Sequence, residues 1–452
     1  MKRISPTGEL IRLAGPVYVA QIAMMANGVI DTVMAGRLSA VDLAAVGIAS
    51  SIQVTILMSL MGVLLALPPL VAHIYGSGKL AEVGREIHQS VWLSLVLGVI
   101  AVLMLRTPGP FLAISDLQPA VEAKVRAYLD ASAWGVPAAI AFRIYFGLFT
   151  GIGRPRSVMH FNLAALLLKL PLNAMFMYGW LGAPALGAPG SAVATSIDYW
   201  LIAALAWGWC LYSPRYAAFR LRTRIAPPDP KAIAAFLKLG VPIALTFVAD
   251  VTAFTFMALF IARLGPVVSA AHQIAASLAA FAFVLPLSIG NATAILAGQA
   301  LGAGRPQLAR QMCGRGIGLG MAFGIVVSLA LWLGAGRIAE LYTNDLHVQL
   351  LAAPLIVLVG YYHLADALQA VAVNALRGYK RSAIPMLIYT TCLWGVGLGG
   401  GVLLGLTDRL GPARGAPGFW LAAIVSLGLV AGLVALYLDR VSRASRDETD
   451  VR

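Results

Sequence analysis

The stretch Leu264–Gly304, LGPVVSAAHQIAASLAAFAFVLPLSIGNATAILAGQALGAG, holds no Asp, Glu, Lys or Arg. It exceeds the roughly 20 residues that a helix needs to cross a bilayer core. Four other runs share the property: Leu43–Gly78, Leu170–Ile197, Ser382–Thr407 and Gly415–Leu438. Across the 452 residues, 60% are hydrophobic and only 12% charged, against about 25% charged in soluble domains. This composition excludes a soluble enzyme of two or three domains. Helix-length apolar runs also exclude an outer-membrane barrel, whose strands would be about 10 residues of alternating polarity.

Gly, Pro and charge punctuation along the chain predicts twelve spans. They lie near 10–34, 46–74, 88–105, 127–150, 157–179, 190–212, 234–262, 269–301, 314–333, 349–376, 384–406 and 418–438. The expected fold class is therefore an all-α polytopic membrane protein. The N-terminal segment has a basic start but carries Glu9 and lacks a small-x-small cleavage site, so it reads as a retained first helix, not a signal peptide.

The net charge of +14 would suggest nucleic acid in a soluble chain, but here it reports topology. With the N-terminus in the cytoplasm, 23 of the 33 basic residues fall on the inner side and 8 on the outer side. Arg143 and Lys169 are left within spans. The bias predicts an inner (cytoplasmic) membrane protein with both termini on the cytoplasmic side, and no nucleic-acid partner is implied. Cys210, Cys313 and Cys392 are scattered through apolar sequence without metal or disulfide spacing.

The chain repeats itself at nearly half its length. At a shift of 226, Leu13 and Pro16 fall on Leu239 and Pro242, Arg37-Leu38 on Arg263-Leu264, and Gly76-Ser77-Gly78-Lys79 on Gly302-Ala303-Gly304-Arg305. At a shift of 228, Gly187-Ala188-Pro189-Gly190 recurs as Gly415-Ala416-Pro417-Gly418. The repeat unit is six helices, so the two halves share one orientation and form pseudo-symmetric six-helix bundles, residues 1–225 and 226–452. The joint is the basic, proline-rich loop Tyr212–Lys231. Two such lobes are the architecture of alternating-access transporters.

Ionisable residues inside the membrane are costly, so each needs a partner, a wet cavity or a task. Asp250 lies 12 residues past Lys238 and Asp366 lies 11 residues before Arg377, which puts both about 17–18 Å from the inner face at 1.5 Å per residue. Two carboxylates at one depth in one bundle can bind a proton or a Na⁺ ion between them, because their mutual repulsion disfavours two bare charges. The structural alternative is that each merely hydrogen-bonds to a neighbouring helix. Tyr362 stands one turn before Asp366 and shares its face. Asp31 lies 19 residues past Arg12, about 28 Å along the first helix. It is either an exposed helix-end acid or the partner of Lys169, since burying either charge alone would be expensive. Asp130 reads as interfacial, and Arg143 with Asp198 as a structural pair.

Several motif-like strings carry no chemistry. Gly76-Ser77-Gly78-Lys79 lacks the full phosphate-loop pattern, and Gly316, Gly320 and Gly324 at four-residue spacing read as close helix packing. Asn291-Ala292-Thr293 is a glycosylation triplet inside a span. HExxH, paired-histidine and G-x-S-x-G patterns are absent, so no enzyme is indicated.

The strings Ala14-Gly15-Pro16-Val17, Asp31-Thr32-Val33-Met34-Ala35-Gly36, Asp42-Leu43-Ala44-Ala45-Val46, Pro171-Leu172-Asn173, Ala270-Ala271-His272-Gln273 and Leu376-Arg377-Gly378-Tyr379 resemble the multidrug and toxic compound extrusion (MATE) family, NorM-like branch. The resemblance runs from about residue 8 to residue 440. It implies export of amphipathic organic cations such as dyes, fluoroquinolones and aminoglycosides in exchange for Na⁺ or H⁺, by a monomer with no other cofactor. It assigns Asp31, Asp250, Asp366 and Tyr362 to coupling, with Asp250 and Asp366 as Na⁺ ligands if Na⁺ is the ion. Asp31, Lys169, Asn173 and Gln273 become substrate or gating residues. Two departures stand out: Asp250 replaces the usual Glu, and Lys169 replaces a usual Asn. The different-class alternative is a flippase for a lipid-linked substrate, which should show a basic cleft for phosphate head groups.

Overall fold

A computed structural model describes residues 5–112 and 117–450; for 110, 111 and 446–450 only the backbone is described. The inner-side assignments of Lys2, Arg3 and Arg452 lie outside the described residues. The described chain is almost wholly helical. In chain order the main helices are α1 Pro6–Gly36, α2 Ala40–Met61, α3 Leu67–Gly76, α4 Leu80–Arg106, α5 Pro119–Gly151, α6 Pro155–Tyr178 and α7 Ala188–Tyr212. The second series is α8 Pro230–Ala262, α9 Pro266–Gly302, α10 Pro306–Tyr342, α11 Leu346–Gly378, α12 Ala383–Leu406 and α13 Ala416–Asp450. Eleven described helices are long and apolar enough to cross a membrane. The 25-residue α7 is the twelfth by length, its hydropathy diluted by Asp198 and its Trp and Tyr rings. Leu333 and Leu341 are 88% and 86% exposed, as expected where the surrounding solvent is hydrocarbon.

Each expected span finds its helix, with one break. The second span divides at Gly62, because Pro68 and Pro69 cannot continue the hydrogen-bond ladder of α2 and open a new helix instead. Gly62 permits a close crossing as well: a Cβ there would sit 2.9 Å from Ala244 Cα of α8.

The internal repeat is expressed as matched local geometry. Gly78 and Gly304 both turn with positive φ, +77° and +68°, as do Gly187 and Gly415 at +66° and +62°. Leu186 and Gly187 donate from their amides to Phe176 and Met177 carbonyls, and Arg414 and Gly415 donate to Leu404 and Gly405, at the same shift of 228. Those conformations are the reason glycine recurs there.

By proximity the chain divides into Pro16–Ala244 and Met1–Gly15 with Leu245–Arg452. The division falls inside α8, whereas connectivity and the repeat draw it at 225/226. The loop Tyr212–Lys231 explains the difference: it is stapled to α4. Gln89 donates to the Pro227 carbonyl at 2.9 Å and accepts from the Asp229 amide at 2.8 Å, while Trp92 Nε1 donates to the Ala226 carbonyl at 2.9 Å. Packing within α10 follows the glycine spacing, since Gly316 faces Thr293 of α9, and Gly320 and Gly324 face Val371 and Ala367 of α11.

Candidate functional site

In the unit formed by Leu245–Arg452, α8 turns Ala249, Ala253, Met257 and Ile261 into the core at helical spacing. Asp250 and Phe254 flank that stripe. The second half of α11 is buried on nearly every face, including Tyr362 (5% exposed), His363 (1%) and Asp366 (4%). The two helices wall a cavity of about 530 Å³ that Asp250, Asp366, Tyr362 and Gln273 line together. The count of residues along each helix thus leads to one shared wall.

Each carboxylate is held by a donor. Tyr389 Oη of α12 donates to Asp250 Oδ1 at 2.5 Å, and Gln369 Nε2 donates to Asp366 Oδ1 at 3.2 Å, while His363 Nδ1 stands 3.9 Å from Asp366 Oδ2. The Tyr362 ring is clamped edge-on by Phe254 and Trp420, with interplanar angles of 87° and 89°. His272, one residue before Gln273, also lines the cavity, and its Nδ1 has no hydrogen-bond partner. The result is an acidic, aromatic chamber suited to an organic cation, whose charge meets carboxylates and whose flat apolar body meets rings. No Lys or Arg is among the described residues lining it.

Tyr389 is invisible to a sequence reading because it reaches Asp250 from a different helix, in the regular α-helical stretch Ala383–Thr391 that precedes a π-helical segment, Cys392–Gly399. Tyr389 and Trp394 both reach α8, the latter donating from Nε1 to the Ala249 carbonyl at 3.2 Å. The run Trp394-Gly395-Val396-Gly397-Leu398-Gly399 tolerates the i→i+5 winding through its glycines. Tyr389→Phe is expected to lower unfolding stability by about 1.5–3 kcal/mol, the range for a hydrogen bond to a charged group. Thermal or denaturant unfolding of the purified protein reads this. A change within about 0.5 kcal/mol would show that Asp250 does not depend on the phenol.

The other predicted residues assemble in the unit Pro16–Ala244. Asp31 of α1 is 8% exposed and Lys169 of α6 1%, and Lys169 Nζ lies 2.9 Å from Asp31 Oδ1. Asn173 Nδ2 donates to the same oxygen at 2.7 Å. Lys169 Nζ donates further to the Ser191 carbonyl at 3.3 Å and to Thr195 Oγ1, both on α7. Tyr178 Oη ties α6 back to the Met34 carbonyl of α1 at 2.8 Å. The structure thus brings Asp31, Lys169 and Asn173 into one buried cluster.

Two expectations need correction. Arg143 and Asp198 do not pair: the Arg143 guanidinium lies 4.8 Å over the Phe146 ring, and Asp198 Oδ1 is buried without a hydrogen-bond partner. Arg143 instead uses the π-face of its own helix neighbour, three residues on. Arg377 near the end of α11 is a third basic residue within the helical spans, buried like Lys169 where Arg143 is half-buried; it donates to Asn374 Oδ1 at 2.9 Å and lies 5.9 Å from the Phe247 ring centroid. The α11 helix runs two residues beyond the expected end at 376, which keeps Arg377 within it. Asp130 is exposed, in keeping with an interfacial position.

Comparison with known proteins places this architecture among multi-pass membrane transporters. The MatE family model matches residues 16–175 and 242–403. The "Probable multidrug resistance protein NorM" of Chromobacterium violaceum is 39% identical over 437 residues, covering 96% of this chain and 94% of that protein. The multidrug resistance protein MdtK of Edwardsiella ictaluri is 35% identical over 436 residues, covering 96% and 95%. Among solved structures, a MATE protein in the bent conformation aligns with a TM-score of 0.89 at 18% identity, over 98% of this chain and 97% of that one. That likeness establishes the fold, twelve membrane helices in two bundles. The chain belongs to the MatE family.

Proposed function

We propose that this protein is a secondary active multidrug exporter of the inner (cytoplasmic) membrane, with both termini in the cytoplasm, that moves amphipathic organic cations out in antiport with Na⁺ or H⁺. The observation that carries the reading is the cavity of about 530 Å³ in which Asp250 and Asp366 face aromatic walls. The names of relatives at 35–39% identity support it. The lobes 1–225 and 226–452 alternate access as a monomer surrounded by lipid, with no resident cofactor. A flippase for a lipid-linked substrate is not favoured, because this chamber is acidic where a phosphate head group would need bases.

Asp250 and Asp366 form the coupling site, and Tyr362 orients the ring face toward whatever cation lies between them. Carboxylate and phenol oxygens are the hard donors that Na⁺ takes, and the same oxygens accept protons. Entry of the coupling ion neutralises the carboxylates that hold the drug, so ion and drug compete for one charge and exchange follows. Gln273 lines the drug path, and Asp31 with Lys169 and Asn173 forms a second polar station.

The test is efflux of a fluorescent organic cation from everted vesicles or cells under an imposed Na⁺ or H⁺ gradient. The gradient that drives wild-type efflux identifies the ion. Asp366→Asn and Asp250→Asn, at equal folded protein in the membrane, are each expected to bring gradient-driven efflux down to the vector background. Unchanged gradient-driven efflux in both would overturn the assignment.

A further inference from the structure

Lys169 is a residue whose ammonium sits where an inorganic cation would. Its side chain enters from α6, is 2% exposed, and ends among oxygens from two other helices: the Asp31 carboxylate at 2.9 Å, the Ser191 carbonyl at 3.3 Å and the Thr195 hydroxyl. A carboxylate, a backbone carbonyl and a hydroxyl converging on one buried point are the donor set of a monovalent-cation site. Every donor of the ammonium is aimed at one of these acceptors, and Asn173 braces Asp31 from the far side at 2.7 Å. Asp198, one turn beyond Thr195 on α7, is a second buried carboxylate, and its Oδ1 has no hydrogen-bond partner. The environment is therefore rich in negative charge and oxygen lone pairs, with the lysine as the only cation the described residues place in it.

We propose that Lys169 is a tethered counter-cation: it permanently fills a monovalent-cation cage built by Asp31, Ser191 and Thr195, and removing the side chain turns that cage into a binding site for free Na⁺ or a small primary ammonium ion. A tethered cation cannot leave. In the wild type the Asp31 cluster accordingly takes no Na⁺, and exchange of an inorganic cation is confined to the unit that holds Asp250 and Asp366. Truncating Lys169 leaves the oxygens where their helices hold them, since Ser191 presents a backbone carbonyl and Thr195 is itself bonded to that carbonyl at 2.7 Å. A methylammonium ion reproduces the lost head group, and Na⁺ satisfies the same lone pairs at shorter range.

The inference does not depend on antiport, and its test measures binding without transport. Thermal unfolding midpoints of the purified full-length protein are followed while Na⁺ or methylammonium replaces choline at constant ionic strength. Three proteins are compared: wild type, Lys169→Ala and Lys169→Ala/Asp31→Asn. A cation that binds only the folded state raises the midpoint saturably. Any binding at Asp250 and Asp366 is common to all three and cancels. The expected result is a lowered midpoint for Lys169→Ala in choline, a saturable recovery in Na⁺ or methylammonium beyond the wild-type response, and no such extra recovery in the double variant. If Lys169→Ala does not survive purification, Lys169→Asn, which offers the ion an amide oxygen, takes its place under the same criteria. A response no larger than that of wild type overturns the proposal, and so does an extra response that persists without Asp31.

Discussion

Gly320→Leu is expected to destabilise the protein by about 3 kcal/mol or more and to leave little of it folded in the membrane fraction. Overpacking a well-packed interior costs about 1–3 kcal/mol, and this site lies at the upper end because nothing nearby can give. Even a methyl group at Gly320 would fall 2.7 Å from Val371 Cγ2, and one at Gly324 would fall 2.8 Å from Ala367 Cβ. Val371 and Ala367 are both fully buried on the second half of α11, which is packed on nearly every face and has no free side toward which to retreat. In lipid, helices associate through close packing of small residues and not through exclusion of water, so a wedge between α10 and α11 removes what joins them. Gly318→Leu is the control. It lies on the same helix two residues away with no neighbour within 4 Å of an added Cβ, and it should express and unfold as wild type does. Equal yields and midpoints for the two variants would show that the glycine stripe has no packing role.

Asp42→Ala is expected to cost about 2–3 kcal/mol while leaving efflux per folded molecule unchanged. Asp42 is 5% exposed and joins three helices: Oδ1 accepts from Lys124 Nζ of α5 at 2.6 Å and from the Ala188 amide at the start of α7 at 2.8 Å, and Oδ2 accepts from the Ser39 hydroxyl at 2.6 Å. Ser39 in turn caps α2 by accepting from the Asp42 amide at 2.9 Å. Losing the carboxylate leaves a helix-end N–H without its acceptor and Lys124 without its counter-ion. The usual 3–5 kcal/mol for breaking a buried pair is reduced here because the Lys124 side chain is 35% exposed and regains water. Asp42→Asn, which keeps an acceptor oxygen, should recover part of the loss in the same thermal assay. A fall in efflux per folded molecule would move Asp42 from the framework into the transport machinery.

Asp42 also shows how a recognisable string can mislead about role. It opens the run Asp42-Leu43-Ala44-Ala45-Val46, which carries family resemblance, yet its contacts are those of a cap and a cross-helix brace. Asp366 looked no different by composition. What separated the two in the sequence was position: Asp42 follows Ser39 at a helix start, whereas Asp366 lies in mid-span with nothing local to pair with except a tyrosine one turn before and residues one turn to either side. Depth along a helix is legible because the rise per residue is constant.

Partners across helices are less legible. The pairing of Lys169 with Asp31 could be argued from cost alone, since two buried opposite charges in one bundle are stable only together. The false pairing of Arg143 with Asp198 rested on the same argument and failed, because a guanidinium had the Phe146 ring available on its own helix. Tyr389 gave no signal at all: its side chain reaches Asp250 from another helix, and only the packing of the two helices brings them together. The break at Gly62 belongs with these, as two prolines announced it but a single apolar run concealed it.

By itself the sequence determined the helices, the doubling of a six-helix unit and the few charges left in the apolar interior. Those properties depend on hydropathy, fixed helical rise and the cost of burying charge, all of which act locally along the chain. Only the tertiary structure decided which of those charges meet, that Asp250 and Asp366 share one cavity while Asp31 is occupied by Lys169. Contact between side chains on different helices is set by how close-packed surfaces interlock, and that depends on every residue of both surfaces at once.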